Sequence, residues 1–359
     1  MLNFSLNVTT NSTNETVQAS VLDSCYFIKC MFSDGERAAI IFAFFATFLI
    51  SLVGNSFVCH IIARSRKLKS CTNFSILNLS IADLFLTIFC IPIITIDLYI
   101  VADWVYGLFI CRLVAFLQNT AMVSSILILL TISIEKFLVV CYPFQSRVYR
   151  NFFRYIIYIV WILAIVDSAA VCILKKTVPF GGKTYCIFDW PSLTFQKIYL
   201  MGHGTGLFFL PLLLMTCLHT ATIYVIQKKT THRINGSMTT IRTNVRKLRQ
   251  KRKAVTILVM IVVLFTISWG PFVSLSIWEA FADWEKKKTL YKTLNQMFVV
   301  CLWMMFLNAA GHPVIYCFLG KEYRKAMKQS LWKKTPSSNT RFTPRDNQPA
   351  IPLRNIDHS

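Results

Sequence analysis

Charge is scarce in this chain. Only 15% of its 359 residues are Asp, Glu, Lys or Arg, and just 16 are acidic. A soluble domain carries roughly a quarter charged residues, so a water-facing globule is excluded. With 55% hydrophobic residues and a mean hydropathy of +0.53, the expected solvent is a bilayer. Zinc-type Cys-x-x-Cys pairs are missing despite 12 cysteines, which excludes the usual structural zinc modules. A basic leader before a short apolar core is missing too. No cleaved signal peptide is therefore expected, and the first apolar run is read as an uncleaved anchor. No internal repeat is visible, which weighs against an inverted-repeat transporter. The histidines (His60, His203, His219, His232, His312, His358) are scattered. No Ser–His–Asp or metal constellation can be assembled from them, so the chain is not read as an enzyme.

What is present is length in apolar runs. A membrane-spanning helix needs about 20 mostly apolar residues. Seven runs qualify, at roughly 38–63, 73–99, 109–140, 155–174, 198–226, 254–280 and 293–318. The odd number places the two ends of the chain on opposite sides. Of the 38 Lys+Arg, 27 fall in 64–72, 141–154, 227–253 and 319–359, counting Lys136, with only Glu135, Glu322, Asp346 and Asp357 beside them. The other side holds 11 basic and 11 acidic residues, and Asp83 lies within a span. The formal +22 thus divides into +23 on one face, zero on the other and −1 inside. Positive residues stay cytoplasmic, so the N-terminus is expected outside and the C-terminus inside, in the plasma membrane. That asymmetry, together with attraction to anionic lipid, also accounts for the high pI, and nucleic-acid binding is not expected.

The leader agrees independently. Asn3, Asn7, Asn11 and Asn14 each begin an N-x-[ST] glycosylation triplet, whereas Asn73, Asn78 and Asn235 fall on predicted cytoplasmic or membrane positions. Most cysteines lie in apolar runs as small hydrophobes. Cys111 and Cys186 lie on the oxidising side, where a thiol pair favours a disulfide. For Cys25 and Cys30 a short loop and a bridge elsewhere both remain open.

Inside the spans sit residues that lipid disfavours: Asn55 in "LVGNSF", Asp83 in "LNLSIADLF", Glu135–Lys136, Trp161, Pro211, Trp269 and Pro271 in "ISWGPF", and "NAAGHPVIY". One set per span, in this order, resembles the rhodopsin-like (class A) G protein-coupled receptors, of peptide-receptor type. The resemblance covers 35–332. It includes Trp104-x-x-Gly107 before Cys111, an acid–base–aromatic triplet at Glu135, Lys136 and Phe137, and a final xPxxY ending at Tyr316. It implies an all-α integral membrane fold, a seven-transmembrane helix bundle with a short amphipathic eighth helix and a β-hairpin in the second extracellular loop. The expected division is a glycosylated extracellular N-terminus (1–37), the transmembrane domain (38–318), an interfacial helix (319–332) and a disordered cytoplasmic tail (333–359). The helix "FLGKEYRKAMKQSLW" groups Leu319, Tyr323, Met327 and Leu331 on one face.

For a ligand, the informative position is Gln118, one heptad after Cys111, where amine receptors of the family carry an aspartate. A neutral amide cannot compensate a buried cation, but it suits a peptide bond or carboxamide. "KKTVPFGGKTYCIF" holds two strand-prone runs about Gly181-Gly182, a hairpin signal. The charged rim suits a soluble peptide, with Glu279 as the expected cation partner. The expected ligand-binding set is Gln118, Met122, Asp97, His203, Trp269, Glu279, Phe298 and Leu302. An opsin is excluded because 293–318 has no lysine for a Schiff base. A small non-amine or lipid ligand, and an atypical scavenging receptor with weak coupling, stand as alternatives.

For signalling, the resemblance implies outward movement of span six about Pro271, opening a cleft for a heterotrimeric G protein, with arrestin, a receptor kinase and membrane lipid as further partners. The coupling residues are Glu135, Lys136, Phe137, His219 and Lys251. The interior switch is Asn55, Asp83, Ser125, Trp269, Asn308, His312 and Tyr316, with an allosteric sodium ion near Asp83 and no other cofactor. The pattern breaks at several of these positions. Lys136 replaces the family's arginine and lacks its planar fork, and Phe137 and His219 replace tyrosines. His312 replaces an asparagine, and span six offers no acid to hold Lys136. Glu135 is expected to pair with its neighbour Lys136.

Overall fold

The computed structural model describes residues 32–64, 70–101, 103–142, 146–180, 182–231, 238–283, 286, 289–320 and 323–324. The leader with its four glycosylation triplets, Cys25 and Cys30, most of 319–332 and the tail lie outside these.

Seven long helices run in chain order: α1 (Asp34–Arg64), α2 (Cys71–Val101), α3 (Gly107–Cys141), α4 (Ser146–Ile173), α5 (193–231), α6 (Met238–Phe281) and α7 (Tyr291–Leu319). Each contains a stretch long and apolar enough to cross a membrane. All seven expected runs are found, several with added turns at their ends, because a helix keeps its backbone bonds satisfied past the apolar boundary. Large apolar side chains point outward freely, among them Phe42, Phe109 and Tyr155, as a lipid-facing surface requires. α3 and α7 are the most enclosed helices, and α3 forms the axis of the core, burying Ile126, Ile128, Leu129 and Ile132.

Polar groups stitch the helices. Asn55 donates to Ser51 O (3.0 Å) and Ala309 O (2.9 Å), joining α1 to α7. Gly54 permits that approach, since a Cβ there would lie 2.6 Å from Pro313 Cγ. Trp161 Nε1 donates to Asn78 Oδ1 at 3.0 Å, joining α4 to α2. Both α2 and α5 contain wide π-turns, at Leu86–Cys90 and Ile96–Val101 in α2 and at Thr205–Phe209 in α5. The first precedes Pro92 and the last Pro211; a proline lacks the amide hydrogen a regular helix would use.

Between α4 and α5 stand β1 (Lys175–Phe180) and β2 (Lys183–Phe188), antiparallel with Phe180 opposite Lys183 and Thr177 opposite Cys186. Gly182 has φ +75°, a conformation that favours glycine. Cys186 bonds to Cys111 at the outer end of α3. Asp103 Oδ1 accepts from Thr184 N (2.7 Å) and Thr184 O from Trp104 N (2.9 Å), so the hairpin is fixed along its length.

Candidate functional site

A cavity of about 230 Å³ opens among the outer halves of the helices beneath the hairpin. All eight residues expected to contact a ligand line it: Asp97, Gln118, Met122, His203, Trp269, Glu279, Phe298 and Leu302. Trp269 closes the floor, 97% buried, its ring stacked on Phe265 at 6.1 Å. Phe298 packs on Phe272 at 6.0 Å. An aromatic series descends one wall, from Phe188 on the hairpin to Trp190 (5.2 Å), Tyr199 (5.4 Å) and His203 (5.5 Å). Gln118, half-buried on α3, makes no hydrogen bond to any described residue. Its amide is free to meet a ligand, two donors and an acceptor at once.

Three lining or supporting residues escaped the sequence. Asp167 on α4 accepts at Oδ2 from Asn119 Nδ2 (2.7 Å) and faces His203 Nε2 (3.1 Å). Asn119 also donates to Ser168 Oγ at 3.1 Å. A carboxylate within a span is costly, and "WILAIVDSAA" carried that signal, but its place near the outer end of the run made it resemble a rim charge. Lys175, on β1, is buried with its Nζ 3.6 Å from the Phe188 ring centroid, a cation–π contact. Burial lowers its ammonium to about 7, partly offset by the charge of Asp97.

At the inner end the arrangement departs from expectation. Glu135 and Lys136 do not pair directly. The Thr72 hydroxyl of α2 stands between them, donating to both Glu135 oxygens (2.9 Å each) and accepting from Lys136 Nζ. Adjacent residues on a helix diverge by about 100°, and Thr72 bridges that gap. Lys251 Nζ of α6 donates to Val139 O (3.2 Å) and Lys229 Nζ of α5 to Val140 O (2.6 Å). Phe137 packs edge-on to Tyr142 at 6.2 Å. His219 Nε2 bonds Ser133 Oγ at 3.1 Å, linking α5 to α3.

Midway, His312 Nδ1 lies 2.8 Å from Asp83 Oδ2. Thr87 Oγ1 contacts Asp83 O (2.6 Å) and Ser51 Oγ (2.6 Å). Ser125 and Asn308 are buried, and Asn308 Oδ1, Asn55 Oδ1, His312 Nε2 and the Tyr316 hydroxyl have no partner among the described residues. Tyr316 stacks on Tyr323 at 5.4 Å, whose hydroxyl donates to Asn73 Oδ1 at 3.0 Å; burial raises the Tyr323 phenol above its ordinary range.

The model of the 7 transmembrane receptor (rhodopsin family) matches residues 54–316. Similar proteins include neuropeptide FF receptor 2 of Rattus norvegicus, 28% identical over 308 residues, spanning 82% of this chain and 72% of that receptor. Galanin receptor type 1 of Rattus norvegicus is 31% identical over 288 residues, spanning 79% of each. The pyroglutamylated RF-amide peptide receptor of Rattus norvegicus is 29% identical over 302 residues, spanning 80% of this chain and 69% of that receptor.

Proposed function

The chain belongs to the rhodopsin family of seven-transmembrane receptors, signalling proteins and not enzymes, and from that premise we propose that it binds an extracellular peptide and activates a heterotrimeric G protein. The observation that carries the ligand class is the Gln118 amide, facing the cavity without a partner among the described residues. An amide there complements a peptide bond or carboxamide and gives an ammonium no counter-charge. Asp97 of α2 and Glu279 of α6, both lining the cavity, suit basic side chains, with Glu279 as the cation partner. The named ligands of the similar receptors, neuropeptide FF, galanin and an RF-amide peptide, agree with this class.

The N-terminus lies outside and the basic loops in the cytoplasm, by the charge asymmetry of the sequence. Ligand contact at Trp269 biases α6 to swing about Pro271, separating it from α3 and admitting the G protein. Arrestin and a receptor kinase follow as regulators. A peptide-library screen on transfected cells, reading calcium, cAMP and arrestin recruitment, tests this. Activation abolished by Gln118→Leu is the expected result. Arrestin recruitment without either second messenger would instead make the chain a scavenger. Responses only to lipids would overturn the peptide class.

A further inference from the structure

The family resemblance implies a sodium ion at Asp83, and the residues around that carboxylate do not suit one. His312 Nδ1 faces Asp83 Oδ2 at 2.8 Å, with side-chain exposures of 0% and 3%. Whichever partner carries it, one proton lies on the line between the two atoms. That proton occupies the direction in which a cation would approach the oxygen. A hard cation also needs several oxygen ligands around it, and His312 brings nitrogen where an asparagine would bring a carbonyl. Thr87 is already engaged with Asp83 O and Ser51 Oγ, and Asn55 Nδ2 with α1 and α7, which leaves the Asn55 Oδ1 as a single amide oxygen without a partner among the described residues.

The rest of this interior points the same way. Asn308, His312 and Tyr316 follow at four-residue spacing on one face of α7. Their buried atoms without a partner among the described residues are an acceptor (Asn308 Oδ1), a ring nitrogen (His312 Nε2) and a hydroxyl (Tyr316). Such a mixture of donors and acceptors suits bridging water, whereas a cation is served by acceptors alone.

We propose that the His312 side chain stands in the place of the ion, so that Asp83 Oδ2 is met from within the chain and the receptor is insensitive to sodium. α2 and α7 are then joined by a direct contact that no change in the ionic medium removes. The inference rests on these two residues and holds whatever the ligand class.

The experiment is thermal unfolding of the purified full-length receptor in a NaCl titration, against choline chloride at equal ionic strength. For the natural chain the two curves are expected to coincide. His312→Asn restores an oxygen ligand and is expected to gain a sodium-specific rise in midpoint of about 3 °C, since a ligand of the folded state stabilises it. The added substitution Asp83→Asn should abolish that gain. Should His312→Asn fail to fold, His312→Ser serves in its place. A sodium-specific rise in the natural chain that Asp83→Asn removes would overturn the proposal. So would an absence of any gain in a folded His312 variant.

Discussion

Lys251 reaches from α6 to the carbonyl oxygen of Val139 on α3, across 3.2 Å. Lys229 does the same from α5 to Val140 at 2.6 Å. The last carbonyls of a helix have no intrahelical donor, and that end is electronegative. Two ammonium groups therefore cap α3, and they hold α5 and α6 against it. This contact among α3, α5 and α6 needs no acid on span six.

Lys229→Met with Lys251→Met should raise basal signalling. Each charge-assisted hydrogen bond contributes about 1.5 kcal/mol, so their combined loss, about 3 kcal/mol, shifts the resting equilibrium on the order of a hundredfold. Basal GTPγS binding with a panel of G proteins, normalised to surface receptor, reads this directly. Unchanged basal binding would dismiss the capping lysines as a restraint.

Thr72 offers a second, separable test. Its hydroxyl bridges Glu135 and Lys136, so Thr72→Val leaves both without that link while Thr72→Ser preserves it. Basal activity is expected to rise several-fold in the valine variant alone, a change of about 1 kcal/mol. If serine and valine behave alike, the bridge has no part in the resting state. Lys136→Arg complements this pair: the guanidinium can contact Thr72 and still present further donors to a G protein helix, so agonist efficacy should increase.

Asp167 holds His203 and Asn119 at the cavity wall. Asp167→Asn keeps the shape but removes the charge that orients the imidazole. A weakening of agonist potency of about tenfold is expected, equivalent to one charged hydrogen bond. Concentration–response curves for Asp167→Asn, His203→Asn and the double variant check this. Additive single effects would show that the two side chains act independently.

Lys175 predicts a pH dependence of stability. Its ammonium is disfavoured by burial and titrates near 7 in the fold, against about 10.4 in an unfolded chain. Between those values the unfolded state holds the extra proton, so stability rises with pH across this window. Below about 7 both states are protonated and the cost of the buried charge is fully present. Unfolding midpoints of Lys175→Met should exceed those of the natural chain most at pH 6, and the gap should close toward pH 9. Parallel profiles would contradict it.

The helices were legible because an apolar run of span length has few other solutions, and the cavity because Gln118, Trp269 and Phe298 lie at spacings that bring them to one level of the bundle. What the sequence hid are contacts between residues remote in the chain. Thr72 and Lys136 are 64 positions apart, and Lys251 and Val139 are 112 apart. Their meeting depends on how far each helix is rotated about its axis, which hydropathy does not encode. Asp167 was legible in principle, as an acid within an apolar run, yet counting it by side of the membrane concealed it. Lys175 carries no sign of burial in its strand-prone run; only the register of the hairpin turns it inward.

The wide turns of α2 and α5 act as a phase adjustment in the helical reading frame. Each residue advances a helix by about 100°, and each π-turn accommodates extra chain without ending the helix. Asp83 precedes the turn at Leu86–Cys90, while Asp97 follows it. A one-residue deletion within 86–90 would therefore leave the interior contact with His312 in place but swing Asp97 away from the cavity. The same deletion in 205–209 would change the relation of His203 to His219, which lie on either side of that turn. The inner and outer halves of this receptor are thus set to one another by where those turns fall, and their chemistry can vary separately as long as that phase is kept.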